Sequence, residues 1–385
     1  QFIENEILRK IMNKSNLVET SHEKPTEKKT ITSVPLSYAQ MGVYFECLKN
    51  PFSTLYNIPC LLTYPAGTDA QLLSKAVKQV IGSHPEMHVY FDTQDDGIVQ
   101  TITNSQAIEV PVKTMDEQEL ISYKKDFVKP FNLQKAPLYR MEVVQTPTAV
   151  HLLMDVHHLI FDGSSVDLFI QQVTDILEGR NVFPENFTYF DFIREQTESE
   201  QTETFKNSER FFAEKLQACE SASEIPADLP SSDKQGYIGT ASCSINPEKV
   251  AQFCRQLEIT PAHLFYAATA YVVSRHTNNR DVYLCTISSG RSNLKVAETV
   301  GMFVNTLALA LSIEDVSVET FLQTASQVFT DTLNNENYPF ARIASDYGFQ
   351  PAIAYAYQVG VLSEYCLNGG KIKQEALDLN TPKFK

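Results

Sequence analysis

At 385 residues the chain is too long for one ordinary hydrophobic core, so two globular lobes, or one large lobe with an appendage, are expected. Hydrophobic residues make up 43% and charged residues 21%, with 14 glycines and 18 prolines, a composition that excludes the disordered and fibrous classes. The net charge of -15 argues against the basic surface that releases counterions from a phosphate backbone, so nucleic acid is a poor candidate partner, and no apolar run reaches membrane-spanning length.

In chain order, the apolar residues Phe2, Ile3, Ile7, Leu8, Ile11 and Met12 have helical spacing, and the lysine-rich stretch over 14–33 follows as a linker. Residues 1–33 therefore read as an appendage without a signal-peptide core, and the compact part begins near Val34. A first lobe over 34–200 is expected to hold a strand at 57–64 and a helix at 69–83 with Leu72, Leu73, Ala76, Val77, Val80 and Ile81 on one face. Strands at 87–91 and 98–102 flank the turn Asp95-Asp96-Gly97, strands at 138–144 and 150–156 flank Pro147, and a helix covers 164–178. Residues 197–232 are rich in Glu and Ser and break the pattern, which places the lobe boundary there. The second lobe, 201–385, alternates again: a strand at 240–245, helices at 247–257 and 261–276, and strands at 282–287 and 303–311. Helices at 318–333 and 340–347 and a strand at 352–358 complete it. This alternation predicts an α/β or α+β sandwich in each lobe. The seven cysteines are odd in number, scattered and mostly set in apolar stretches, so they read as buried thiols of a cytoplasmic protein, with neither disulfides nor a metal site.

The strand at 150–156 runs into His157-His158. Period-two alternation puts His158 on the apolar face of Val150, Leu152, Met154 and Val156, and His157 on the face of His151, Leu153 and Asp155. Asp162-Gly163 then make a tight turn, and Ser164 or Ser165 is expected to cap the following helix. A lone histidine pair at a strand end is ordinarily a pair of polar edge residues. An imidazole beside a following Asp and Gly can instead accept a proton near neutral pH, as acyl transfer to an amine requires.

The stretch His157 to Gly163 resembles the HHxxxDG signature of the condensation domain superfamily, which includes the condensation, epimerisation and cyclisation domains of nonribosomal peptide synthetases and relatives of chloramphenicol acetyltransferase. Further motifs follow the family's order. Pro35-Leu36-Ser37-Tyr38-Ala39-Gln40 is similar to the SxAQ opening. Phe131-Asn132-Leu133 with Pro137-Leu138-Tyr139-Arg140 resembles FDLxxxPLxR, and Tyr189-Phe190-Asp191-Phe192 resembles YxDF. Ser289-Gly290-Arg291 and Gly301-Met302-Phe303-Val304-Asn305-Thr306-Leu307 are similar to SGR and GxFVNTLPLR, and Tyr338-Pro339-Phe340 resembles the PFE motif.

The resemblance implies two chloramphenicol acetyltransferase-like lobes set as a V-shaped pseudo-dimer around a tunnel. Phosphopantetheine arms of donor and acceptor peptidyl carrier proteins would enter from opposite ends, with adenylation domains as neighbours. The domain would need no cofactor of its own. His158 would be the catalytic imidazole, as general base or as positioner of the amine, with His157 beside it. Asp162 would be structural, paired with Arg291, although Arg291 also reads as a solvated turn residue. Ser37 and Asn305 would support the site. Gly163 would let the backbone approach the reacting carbonyl, or serve only the turn.

Departures from the pattern are plain. The RHExLRTxF motif stands as Ser83-His84-Pro85-Glu86-Met87-His88-Val89-Tyr90-Phe91, without two arginines, and Ser164 replaces a common tryptophan. The family pattern extends past Lys385, so the C-terminal lobe reads as truncated, and the N-terminal arm resembles the tail of a carrier protein. The histidine pair excludes a cyclisation domain, and Ser37-Tyr38-Ala39-Gln40 favours condensation over epimerisation. A silent domain that only recruits a carrier or tailoring enzyme, and an acyl-CoA-dependent acyltransferase, remain the other readings.

Overall fold

The computed structural model describes residues 33–94, 97–103, 107–226, 239–358 and 364–377. The expected N-terminal helix and the turn residues Asp95 and Asp96 lie outside them. The chain divides into two compact units, and the division is interleaved: Asn293–Met302 and Glu364–Leu377 belong to the first unit rather than to a second lobe starting at residue 201.

The first unit begins with β1 (Ser33–Pro35), α1 (Tyr38–Lys49), β2 (Asn57–Tyr64) and α2 (Ala70–Ser83). After β3 (Val89–Gln94) and β4 (Gly97–Ile102) come β5 (Val112–Thr114), α3 (Glu117–Phe127), β6 (Tyr139–Gln145), β7 (Val150–His157), α4 (Gly163–Leu177) and α5 (Tyr189–Ser199). The second unit holds α6 (Glu203–Leu216), α7 (Pro247–Gln256), α8 (Pro261–Thr277), β8 (Asp281–Ser288), β9 (Asn305–Ser312), α9 (Val318–Asn334), α10 (Phe340–Tyr347) and β10 (Ala354–Tyr355). The chain then returns to the first unit as β11 (Cys366–Leu367), β12 (Gly370–Lys371) and β13 (Lys373–Ala376).

The main sheet of the first unit has the order β13-β2-β7-β6-β5. β7 is central and buried along its whole length, so its sequence Val-His-Leu-Leu-Met-Asp-Val-His carries apolar residues toward both faces. Leu152, Met154 and Val156 join the large core with Leu73, Val77 and Val80 of α2 and Phe169, Ile170 and Val173 of α4. Leu153 packs on the opposite face with Leu61, Val144, Leu120 and Phe127. Full burial of each such side chain stabilises the fold by roughly 1.5–3 kcal/mol. α2 forms where expected because its apolar positions recur at helical spacing and Asp69 caps it, accepting from the N–H groups of Gln71 and Leu72.

In the second unit β8 and β9 pair antiparallel, with β10 parallel to β8. Val282, Leu284, Leu309 and Leu311 pack against Tyr266, Ala270 and Val273 of α8 and Leu322, Ala325 and Phe329 of α9. Cys285 and Ala308 face Phe205, Phe212, Tyr338 and Ile343 on the other side.

Three expectations are corrected. The supposedly irregular stretch after residue 197 contains α6, whose buried Phe205, Ser208, Phe212 and Leu216 recur every three or four residues among charges. Residues 240–245 form no strand: they are exposed and carry no ladder. The strand expected at 352–358 is ordered as β-structure only at Ala354 and Tyr355.

Candidate active site

The ladder between β2 and β7 ends at the pair Asn57 and His157. His157 N–H donates to Leu138 O at 2.9 Å, and His158 N–H donates to Tyr56 O at 2.7 Å. Side-chain alternation ends with the ladder, which corrects the expected placement of His158 in the apolar interior. His158 lies in the turn beyond β7 and is half-buried, whereas His157 is buried. The ladder thus ends one residue before His158 and leaves it in the turn.

His157 supports this turn. Leu159 N–H donates to its Nδ1 at 3.1 Å, so the neutral ring carries its proton on Nε2, which faces Cys47 Sγ at 3.7 Å. Burial, with smaller contributions from His158 and Arg140, pushes the His157 imidazole down to about 3. Burial likewise pushes the Cys47 thiol up to about 12, so this contact is a neutral one and not an activated thiolate pair. The Phe131 ring meets His157 edge-on at 5.8 Å and carries the Arg140 guanidinium 3.8 Å from its centroid. Arg140 donates to Asp155 Oδ2 at 2.8 Å, as does Asn57 at 2.9 Å. Burial still outweighs both and raises the Asp155 carboxyl to about 6.

Behind the turn, the opening motif acts through hydrogen bonds. Ser37 caps α1 and forms a capping box with Gln40, the S-x-x-Q spacing that announces a helix start in sequence. The Gln40 Nε2 lies 2.9 Å from Leu159 O, 3.0 Å from Glu86 Oε1 and 3.2 Å from Gln100 Oε1. Glu86 is fully enclosed, and burial, reinforced by Glu185 and opposed by Gln40, holds its carboxyl well above the usual carboxylate range. Its motif neighbour His84 is also buried, with Nδ1 2.6 Å from Glu185 Oε1 and Nε2 2.6 Å from Gln172 Oε1. Glu185 Oε1 accepts from Val300 N–H at 2.7 Å as well. The motif that departs from the family by two arginines thus contributes a buried polar network here.

Ser37 Oγ lies 2.7 Å from the Tyr189 hydroxyl, which donates to Met302 O at 2.6 Å. Gly301 makes this contact possible, because a Cβ there would stand 2.2 Å from the Tyr189 ring. Three motifs far apart in sequence therefore converge on one tyrosine.

Asp162, and not Ser164 or Ser165 as expected, is the N-cap of α4: it accepts from Ser165 N–H and Ser165 Oγ, both at 2.8 Å, and is fully buried. The Ser165 hydroxyl also lies 3.0 Å from Gly301 O and accepts from Gly301 N–H at 3.1 Å. Gly163 is the first residue of α4 and is exposed; among the described residues no atom comes within 4 Å of a Cβ built there.

Arg291 and Asn305 lie in the second unit. The Arg291 guanidinium stands 4.3 Å from the centroid of the Phe303 ring, and Asn305 Nδ2 donates to Glu336 O at 2.8 Å. Gly290 has φ +65°, and a Cβ there would fall 2.0 Å from Phe303 O. Gln40, His84, Glu86, Asp155 and Tyr189 stand in the motifs and the strand quoted from sequence without a role of their own, and Glu185 carries no signal there. Gln40 has a local signal besides its motif, the capping-box spacing from Ser37.

The chain matches the family model for the Condensation domain over residues 30–356. It is 28% identical over 316 residues to bacitracin synthase 1 of Bacillus licheniformis, which covers 80% of this chain but only 6% of that synthase. Among solved structures, the X-domain from teicoplanin biosynthesis superposes with a TM-score of 0.78 at 16% identity, covering 95% of this chain and 86% of that one. The first condensation domain of the calcium-dependent antibiotic synthetase, in complex with a substrate analogue, gives 0.72 at 17% identity, covering 91% and 86%. These two likenesses are of fold, while the family match spans most of the sequence and includes every motif around the His157-His158 turn. The chain belongs to the condensation domain family of the nonribosomal peptide synthetases.

Proposed function

We propose that this domain forms a peptide bond between two carrier-bound substrates. The amine of an acceptor aminoacyl thioester attacks the carbonyl of a donor acyl or peptidyl thioester. A C–N bond forms, the C–S bond breaks, and the donor thiol leaves with a proton. His158 accepts the amine proton, or orients the amine, beside the reacting carbonyl. The observation that carries this reading is the placement of His158: half-buried past the end of β7, with its N–H on Tyr56 O, next to a His157 kept neutral. A half-buried imidazole on a backbone tied down on both sides suits proton transfer at a tetrahedral centre.

Both substrates would be presented on phosphopantetheine arms of donor and acceptor peptidyl carrier proteins, next to adenylation domains, in a cytoplasmic synthetase making a peptide secondary metabolite. His157 and Asp162 hold the loop, and Ser37 supports its surroundings through Gln40 and Tyr189. Open space at Gly163 leaves room for an acceptor arm. Gly163→Leu is accordingly expected to keep the unfolding midpoint while raising the acceptor-carrier concentration needed for half-maximal rate; an unchanged requirement removes that role.

The test is to mix the domain with donor and acceptor carriers loaded with aminoacyl groups and to follow the acceptor by intact mass. Dipeptidyl acceptor carrier supports condensation. Carrier binding without product indicates a recruiting domain, turnover of free acyl-CoA without carriers an ordinary acyltransferase, and inversion at the donor α-carbon alone an epimerase.

A further inference from the structure

We infer that Gln40 is a positioning residue for His158, its side-chain amide holding the peptide carbonyl of Leu159 and thereby the turn that presents the imidazole. The inference rests on the condensation reading above. Gln40 is fully buried, so its amide finds its partners in the protein and not in solvent. Its Oε1 accepts from Ser37 N–H at 3.0 Å and from Gln100 Nε2 at 2.9 Å. Its Nε2 faces the three oxygens of Leu159, Glu86 and Gln100. Turning the amide over would set two donors against Nε2 and three oxygens against Oε1, so the orientation is fixed by chemistry.

The grip on the turn is two-sided. Leu159 N–H points to His157 Nδ1 while Leu159 C=O receives the Gln40 amide, and residue 158 between them and the strand is tied to Tyr56 O. A helix-capping role alone needs only the Gln40 Oε1 on Ser37 N–H. It gives no reason for the Nε2 to stand 2.9 Å from the residue after His158. Two hydrogens on Nε2 serve three oxygens, so Glu86 and Gln100 compete with Leu159 for them and set how firmly the turn is held.

Two variants test this. Gln40→Leu removes every hydrogen bond of the amide. Gln40→Glu keeps an acceptor for Ser37 and Gln100 but donates to Leu159 O only when protonated. In the folded variants the ring resonances of His157 and His158 are expected to shift or broaden, with those of His263 and His276 unchanged. With loaded carriers, single-turnover transfer should fall about 100-fold for Gln40→Leu. Half-saturation by the acceptor carrier should change by no more than about twofold. The rate of Gln40→Glu relative to wild type should rise as pH falls and its carboxyl takes up a proton. Unchanged His158 resonances, a wild-type rate in Gln40→Leu, or a pH-independent rate ratio for Gln40→Glu would overturn the inference. If wild type itself forms no product, the condensation reading fails and the resonances alone decide the role of Gln40. If Gln40→Leu does not fold, Gln40→Glu carries the test.

Discussion

Gly290→Ala is expected to destabilise the second unit by at least about 3 kcal/mol. Two costs add. The residue sits at φ +65°, where an L side chain is strained, and the new methyl would lie 2.0 Å from Phe303 O and 2.9 Å from Phe303 C. Both are backbone atoms, so no rotamer change relieves the overlap; the segment leading into β9 must move away from the end of β8. That motion strains the Gly290 N–H contact to Ser288 Oγ at 3.1 Å and the Arg291–Phe303 stacking. Gly163→Ala adds the same methyl at the first position of α4, where no described atom comes within 4 Å, and should cost little. Urea unfolding of the two variants checks the contrast, and equal midpoints would contradict it.

Acidification is expected to favour a His157→Gln variant relative to wild type by about 1.4 kcal/mol for each pH unit below about 6.5. The folded state holds this imidazole neutral, its value pushed down to about 3 by burial first and then by His158 and Arg140. Its contribution is therefore fully present above the ordinary imidazole value, is lost as pH falls, and levels off below about 3, where folded and unfolded chains are both protonated. Asp155 acts with the opposite sign. Its carboxyl is raised to about 6, so the stability it contributes is present in acid and lost as pH rises through that value. That term is common to both proteins and drops out of their difference. The check is chemical unfolding of both from pH 7.5 to 4.5; a constant difference would mean that His157 is not held neutral.

Local periodicity made much of the fold legible. β2, α2, the β6–β7 pair and α4 follow from apolar spacing, Asp69 and the turn at Pro147, because each buries a face defined by its own residues. α6 was hidden because its four buried residues are spread among ten that are not, so charge masked the stripe. The return of β13 to pair with β2, and the attachment of residues 293–302 to Tyr189, Glu185 and Ser165, depend on partners more than a hundred positions away and have no local signature.

The site shows the same division. The motif order pointed to the turn at His157-His158, yet alternation alone misplaced His158 because it does not say where a ladder ends. The polar support behind the turn was invisible for a related reason. Gln40 and Glu86 sit in quoted motifs and Gln100 in a strand, but their role in holding Leu159 becomes readable only once burial leaves their side chains no partners except within the protein.

The most direct test of the account is single-turnover transfer by His158→Ala with saturating donor- and acceptor-loaded carriers, followed by the mass of the acceptor. A loss of about 1000-fold in dipeptidyl-carrier formation is expected, with carrier binding and the unfolding midpoint preserved. Transfer at the wild-type rate in that variant would contradict it.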